Sequence, residues 1–370
     1  NLAMLCGQIG KESSGINPLR GQNNVQGACD MGAMNTNMPG YQKVADPAVR
    51  EKFAAAWGVP IPTDAGGKLT DFFERAGEGK IKAIYAMGED FVRSEPNSAK
   101  IIEDLTKLDF LVCQDIFMTE TAKLAHVVFP AACFAEKDGT FTNTERRVQR
   151  VRKAVEPPGQ ARADWQIVCD VATAMGSPMS YAHPSEIWAE MASLSPNFAG
   201  ISYPRIEKVG LQWPCPDKNH PGTPYLHASR FTRGLGLFHV IKHRPPAEVP
   251  DEKYPMILST GRTLYNYNIG NMTRKTAAIE VRQPENFVEI HLDDAARLGI
   301  ADGDRVRVAT RRGSLVVRAH VARKVRPGAL WMPFHYVESS TNALTNDAFD
   351  NITRTAEYKA CAAVLERAPL

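Results

Sequence analysis

The sequence predicts an α/β chain in which a doubly wound parallel sheet domain is followed by a barrel-like β domain. Three observations carry this. Between residues 81 and 130, short apolar runs alternate with helix-length amphipathic segments, the pattern of a parallel sheet. Polar clusters at 88–90, 114–121 and 136–147 follow these strands, where open parallel sheets place their ligands. From residue 256 the text changes to short strands separated by Asp-Gly and Arg-Gly turns.

Taken in order, residues 1–6 read as the middle of an apolar helix rather than a natural start. Residues 17–32 have no helical or strand period. A loop around Pro39-Gly40 leads to a helix at 47–57, turn material from Pro60 to Gly67, and an amphipathic helix at 69–76 ending at Gly77. Strands are expected at 81–87, 110–115 and 127–129, the last ending at Pro130. Helices are expected between them at 97–106, with Ser98 as a possible cap, and at 119–124. Residues 136–149 read as a polar hairpin with Asp138-Gly139 as its turn, and Asp164-Trp165 opens a helix through Ala174. From 177 to 250, proline, glycine, histidine and aromatics dominate without period, so an irregular connector lying over other domains is expected. The β domain then takes strands at 256–261, 287–290, 305–310, 315–322 and 330–334, with a short helix at 292–298 that stops at Gly299.

With 370 residues, 44% hydrophobic and 23% charged, the chain has the composition of a globular protein of roughly two or three domains. A net charge of +3 without a basic, aromatic-interleaved face excludes nucleic acid as the expected partner. Seven cysteines without a CxxC pair make neither a disulfide framework nor a local zinc or iron–sulfur ligand set, and no residue is assigned as a metal ligand. No apolar run reaches the ~18 residues of a membrane span and no signal peptide is read, so a cytoplasmic location is expected.

The most informative segment is 17–32, which holds five carboxamides, three glycines and the single cation Arg20. Such a stretch gains a fixed shape by hydrogen bonding, either to a large polar ligand or within a polar network joining two domains. A planar guanidinium suits a carboxylate or phosphate through two parallel hydrogen bonds. Gly88 lets backbone approach a bulky ligand, and Asp115 at a strand end is placed to accept ribose hydroxyls. Thr119 reads equally as helix cap and ligand contact, and His126 as structural.

The run Arg20-Gly21-Gln22-Asn23-Asn24-Val25-Gln26-Gly27-Ala28-Cys29-Asp30-Met31-Gly32 resembles a segment of the catalytic alpha subunits of molybdenum- or tungsten-dependent formate dehydrogenases, in the molybdopterin oxidoreductase superfamily. Residues 116–121, 125–131 and 136–149 match the same family, as do 342–346 with Glu357-Tyr358-Lys359. The resemblance implies a Rossmann-like sheet domain and a double-psi-like β-barrel that binds molybdopterin dinucleotide. The division is 1–20 as the end of a preceding α/β domain, 21–176, the connector 177–250, and the barrel 251–370.

By resemblance Arg20 binds or orients formate, and Gln22 with Gly21 and Asn23 lines the pterin ends of the cofactor. Gly88, Glu89, Asp90, Gln114, Asp115, Thr119, Asp138, Asn143 and Arg146 approach the cofactor, and Asp164 is the carboxylate that recognises guanine, a helix N-cap being its alternative. In the barrel, Thr260, Arg262, Asn266, Met272, Thr273, Asn342, Asn346, Tyr358 and Lys359 complete the set. Asn266 and Asn268 stand where relatives often carry histidine, which removes a proton role but not pterin binding. Cys29 matches a family cysteine that is not the metal ligand and reads as structural.

The implied cofactor is bis-(molybdopterin guanine dinucleotide) with Mo or W. The metal's cysteine or selenocysteine ligand and a 4Fe–4S cluster are expected in a missing N-terminal portion. The implied partners are formate or CO2, the N-terminal half of the catalytic subunit, and iron–sulfur or diaphorase electron-transfer subunits. The expected function is the C-terminal part of a formate dehydrogenase catalytic subunit, an enzyme only when completed. A non-catalytic dinucleotide-binding or assembly subunit and a nitrate-type oxyanion reductase are the alternatives.

Overall fold

The computed structural model describes residues 1–368. The chain forms two compact units, each built from two separated stretches: residues 1–67 with 131–242, and 68–130 with the chain from 243 onward. The stretch 21–176 therefore contributes to both.

The second unit contains the parallel sheet and the barrel. Strands β1 (Ala83–Met87), β2 (Phe110–Asp115) and β3 (Val127–Pro130) pair in parallel in sequence order. Right-handed crossovers that all step the same way put their helices on one face. There Ala86, Leu111 and Cys113 pack with Phe73 and Ala76 of the helix Leu69–Gly77 and with Ile101 and Leu105 of the helix Ser98–Leu105. The other face carries Tyr85, Met87 and Phe110, each more than 40% exposed. Asn97, in the left-handed region at φ 49°, occupies the N-cap position where Ser98 was expected; asparagine tolerates that conformation and Ser98 becomes the first helical residue.

The barrel is closed by six strands: β4 (Met256–Gly261), β5 (Phe287–His291), β6 (Arg305–Ala309), β7 (Ser314–Ala322), β8 (Ala329–Pro333) and β9 (Cys361–Arg367). Around the barrel the order is β5-β7-β6-β9-β4-β8. The β5–β7 and β4–β8 pairs are parallel and the rest antiparallel. Alternate residues turn inward, so Leu258, Val288, Ile290, Val306, Val308, Leu330 and Met332 form a dry core. Strand β9 has no counterpart among the expected strands. Its Cys361-Ala362-Ala363 run is buried on successive residues and shows no alternation.

In the first unit, the helix Pro47–Trp57 starts at an Asp46 cap and stops at Gly58 in the left-handed region. Strands Gly139–Thr142 and Arg147–Val151 make the hairpin, and Leu211–Gln212 adds a third strand. The hairpin turns at 143–146, not at Asp138-Gly139. There Asn143 Oδ1 accepts from the Glu145 and Arg147 N–H groups, and Arg146 takes the positive φ of 66°. The expected connector is also partly structured. It contains the helix Pro184–Leu194, and Trp188, Met191, Phe198, Ile201, Ile206 and Cys215 form a core with Val148. Residues 225–250 carry no helix or strand. Among the described residues no helix is long and apolar enough to cross a membrane, and all seven cysteines are free.

Candidate functional site

Each unit gathers its own share of the predicted residues. In the first unit, residues 20–23 form an exposed bend that enters the helix Val25–Asp30 through Asn24 at φ 65°. Asn24 Oδ1 accepts from the Thr142 N–H at 2.9 Å, so two motifs 118 positions apart are fastened together. Arg20 donates from Nε and Nη2 to Gln26 Oε1 at 3.3 and 3.2 Å. Gln22 and Asn23 stand exposed beside it, next to Gly21.

The other predictions in this unit are tied into the protein. Arg146 donates to the carbonyls of Trp213, Thr223 and Pro224 and lies over the Trp213 ring. It holds the 213–224 strap against the hairpin. Asn143 is spent on the turn described above. Asp138 pairs with Arg150 at 3.4 Å. Asp164 is the first residue of its helix, with Ala163 as N-cap, and its carboxylate pairs with Lys137.

In the second unit the loop after β1 is clamped between the sheet and the barrel loops. The Gly88 N–H donates to Gln114 O, and Gly88 sits at φ 63° with open space where a side chain would project. Asp90 Oδ1 accepts from the Thr121 N–H and hydroxyl at 3.0 and 2.8 Å, and Oδ2 from Asn271 Nδ2 at 3.2 Å. Thr119 caps its helix, accepting from the Ala122 N–H. Asp115 Oδ1 accepts from the Ile116 and Phe117 N–H groups, and Gln114 accepts from the Tyr85 hydroxyl.

Arg93, which the sequence did not single out, is the main fastener. Its guanidinium donates to Asn271 Oδ1 and to the carbonyls of Ile269 and His335. Asn342 Nδ2 donates back to the Arg93 and Ser94 carbonyls, and the Tyr358 hydroxyl donates to Ser94 O. Thus the loops around 266–274, 335–342 and 358 all meet residues 88–95. Asn346 supports its own turn, donating to Ala360 O and accepting from the Ala348 N–H. Lys359 donates to Thr260 O, and the Thr260 hydroxyl to Tyr358 O. Arg262 holds Asn268 and covers the Phe334 ring, while Thr273 donates to Asn266 Oδ1 and Met272 lies exposed nearby in sequence.

Electrostatics in this cluster follow burial. Desolvation, reinforced by the Glu89 charge, pushes the Glu95 carboxyl up to about 7. Glu89 is raised for the same first reason, with Asp90 and Asp115 adding repulsion. Burial lowers Lys359, and burial with Arg274 and Arg93 lowers His335 to about 4, so this imidazole is neutral at pH 7. Four buried atoms here have no protein partner: Asn342 Oδ1, Asn266 Nδ2, Thr263 Oγ1 and His335 Nε2. Buried polar groups are normally paired, so both donors and acceptors remain for a polar ligand. Among the described residues no group of three or more His, Cys, Asp or Glu side chains is arranged to hold a metal ion.

Two family models match the chain: "Molybdopterin oxidoreductase" over residues 1–174 and "Molydopterin dinucleotide binding domain" over 256–362. "F420-dependent formate dehydrogenase 2 subunit alpha" of Methanococcus maripaludis is 48% identical over 99% of the chain and 55% of its own length. "Formate dehydrogenase H" of Escherichia coli is 41% identical over 99% of the chain and 52% of its own length. The "Assimilatory nitrate reductase catalytic subunit" of Bacillus subtilis is 35% identical over 98% of the chain and 53% of its own length. The chain thus spans about half the length of the curated relatives it matches. Among solved structures, acetylene hydratase from Pelobacter acetylenicus superimposes with a TM-score of 0.65 at 19% identity, covering 87% of this chain and 50% of that one. That last likeness concerns the fold alone.

Proposed function

Because the chain belongs to the molybdopterin oxidoreductase superfamily, on its formate dehydrogenase branch, we propose that it supplies the C-terminal part of a formate dehydrogenase catalytic subunit. The observation that carries the substrate reading is the state of Arg20. It is an exposed guanidinium in a carboxamide-rich loop, and its hydrogen bonds among the described residues go to a neutral side chain, not to a carboxylate. A cation held in place without a counter-anion is suited to bind one.

The cofactor assigned to the site is a pair of molybdopterin guanine dinucleotides holding Mo or W. The unpaired Asn342 Oδ1 and Asn266 Nδ2 and the open space at Gly88 fit a large heterocycle bearing both donors and acceptors. When bound, such a centre takes up the two electrons that formate releases as it becomes CO2. The residues of this chain bind and orient. Arg20 fixes the carboxylate of formate, with Gln22 and Asn23 beside it. In the second unit Gly88, Glu89, Asp90, Gln114, Asp115, Asn266, Asn342 and Lys359 form a wall for a dinucleotide; in the first unit Asp164, opening its helix, takes a guanine. The His335 imidazole is held neutral at pH 7. The remainder of the catalytic subunit and electron-transfer subunits complete the enzyme.

Arg20→Ala in the full-length enzyme tests this. Formate KM is expected to rise and kcat to fall, by about tenfold or more in kcat/KM, with Mo or W content near that of the parent. Unchanged formate kinetics would remove Arg20 from the substrate site.

A further inference from the structure

Behind Arg20 lies a hydrogen-bonded chain that ends on a buried carboxylate. Gln26 Nε2 donates to Asp30 Oδ1 at 2.9 Å and to the Tyr41 hydroxyl at 2.7 Å, and Tyr41 donates in turn to Asp30 Oδ1 at 2.9 Å. Trp213 Nε1 donates to Asp30 Oδ2 at 3.1 Å. Asp30 is 1% exposed, and burial raises its pKa against the pull of these donors. A carboxylate so enclosed demands donors, and four side chains provide them, the Thr142 hydroxyl joining Gln26, Tyr41 and Trp213.

We infer that Gln26 and Asp30 are positioning residues for Arg20, setting which edge of its guanidinium meets the substrate. The inference rests on the reading of Arg20 as the formate anchor. A carboxamide has a donor end and an acceptor end, and alone it can flip. Here both hydrogens of Gln26 Nε2 are engaged by Asp30 and Tyr41, and a flip would bring Oε1 against a carboxylate. Asp30 therefore fixes Oε1 toward Arg20, and the chain of hydrogen bonds behind the amide strengthens it as an acceptor. Gln26 Oε1 takes Nε and Nη2, the side edge of the guanidinium. The end edge, Nη1 with the second Nη2 hydrogen, keeps two parallel donors for a carboxylate. Gln26 thus restricts a side chain with several rotatable bonds to one pose without neutralising it, as a carboxylate in its place would do.

The test uses the full-length enzyme. Gln26→Met keeps the length of the side chain and removes the amide. It is expected to raise formate KM about tenfold with a smaller change in kcat, at unaltered Mo or W content. The decisive readout is the double variant. In an Arg20→Ala background Gln26→Met should add nothing, because it acts through the guanidinium. Full additivity of the two losses overturns the inference. Should Gln26→Met fail to fold, Tyr41→Phe frees one Gln26 hydrogen and removes one donor to Asp30. It is expected to raise KM about threefold, again only when Arg20 is present. The two readings separate cleanly. If Arg20→Ala leaves formate kinetics unchanged, the substrate reading falls. If Arg20→Ala has its effect while Gln26→Met and Tyr41→Phe have none, that reading stands and the positioning role falls.

Discussion

Glu95 shows what a single side chain concedes to its surroundings. It is 6% exposed, its hydroxyl neighbour Ser94 is shared with Glu89, and Asp90, Asp115 and the Tyr358 phenol belong to the same acidic neighbourhood. Its folded pKa of about 7 lies above the ordinary 4.5. An acid raised in this way leaves stability intact below about pH 4.5 and erodes it as pH climbs to about 7. Glu95→Gln mimics the protonated form. It should be near neutral at pH 4.5 and should stabilise the chain at pH 8 by up to about 3 kcal/mol. Melting curves at the two pH values check this; a variant melting no higher than its parent at pH 8 rules it out. Such residues are hard to read in advance. The Arg20 loop is legible because carboxamides and glycines without period have no core use. Arg93 sits inside the four-residue helix Phe91–Ser94, and only its burial against three carbonyl and amide oxygens reveals what it does.

Among elements, β4 has little room for change at its end. A Cβ on Gly261 would lie 2.2 Å from Trp331 Nε1 on the neighbouring strand β8, with further indole atoms at 2.5 Å. Gly261→Ala must displace the Trp331 indole, and a cost of about 1–3 kcal/mol is expected. A lower melting temperature with an altered near-ultraviolet tryptophan signal is the expected outcome, and an unchanged melt would count against the close packing. The sequence marked β4 through a short apolar run closing on Gly261, and the strand occupies those same residues, Met256–Gly261. It marked β2 and the helix Leu292–Leu298 equally well, through period and a terminal Gly299. It hid the helix Pro184–Leu194, whose neighbourhood is crowded with proline and glycine. It also misplaced the hairpin turn, where Asn143 and a positive-φ arginine do what Asp-Gly usually does.

For the whole molecule, the interleaving of the two units has a consequence at the bench. Residues 235–241 include Leu235, Val240 and Ile241, all more than 80% exposed, in a stretch without helix or strand. Limited proteolysis should cut there first. The unit containing the barrel draws on 68–130 as well as on the chain beyond 243, and Arg93, Asn342 and Tyr358 join these pieces. The two fragments should therefore co-elute in gel filtration and part only in denaturant; separation under native conditions would contradict the described unit. No pattern of composition or spacing announced this arrangement, because it depends on contacts between distant segments. The two long motifs at 20–32 and 136–149 were each legible, but their fastening through Asn24 and Thr142 was not.

The same connectivity sets a clock on synthesis. Residues 1–67 cannot complete their unit until residue 242 has been made, and residues 68–130 wait for β9 near the end of the chain. At roughly 5–20 residues per second the early segments spend on the order of ten seconds or more without their final partners. During that time Phe53, Phe73 and Leu111, fully or almost fully buried in the finished fold, are left to whatever else is in reach. Extended apolar segments of this kind are what holding chaperones bind, and this order of synthesis presents them early.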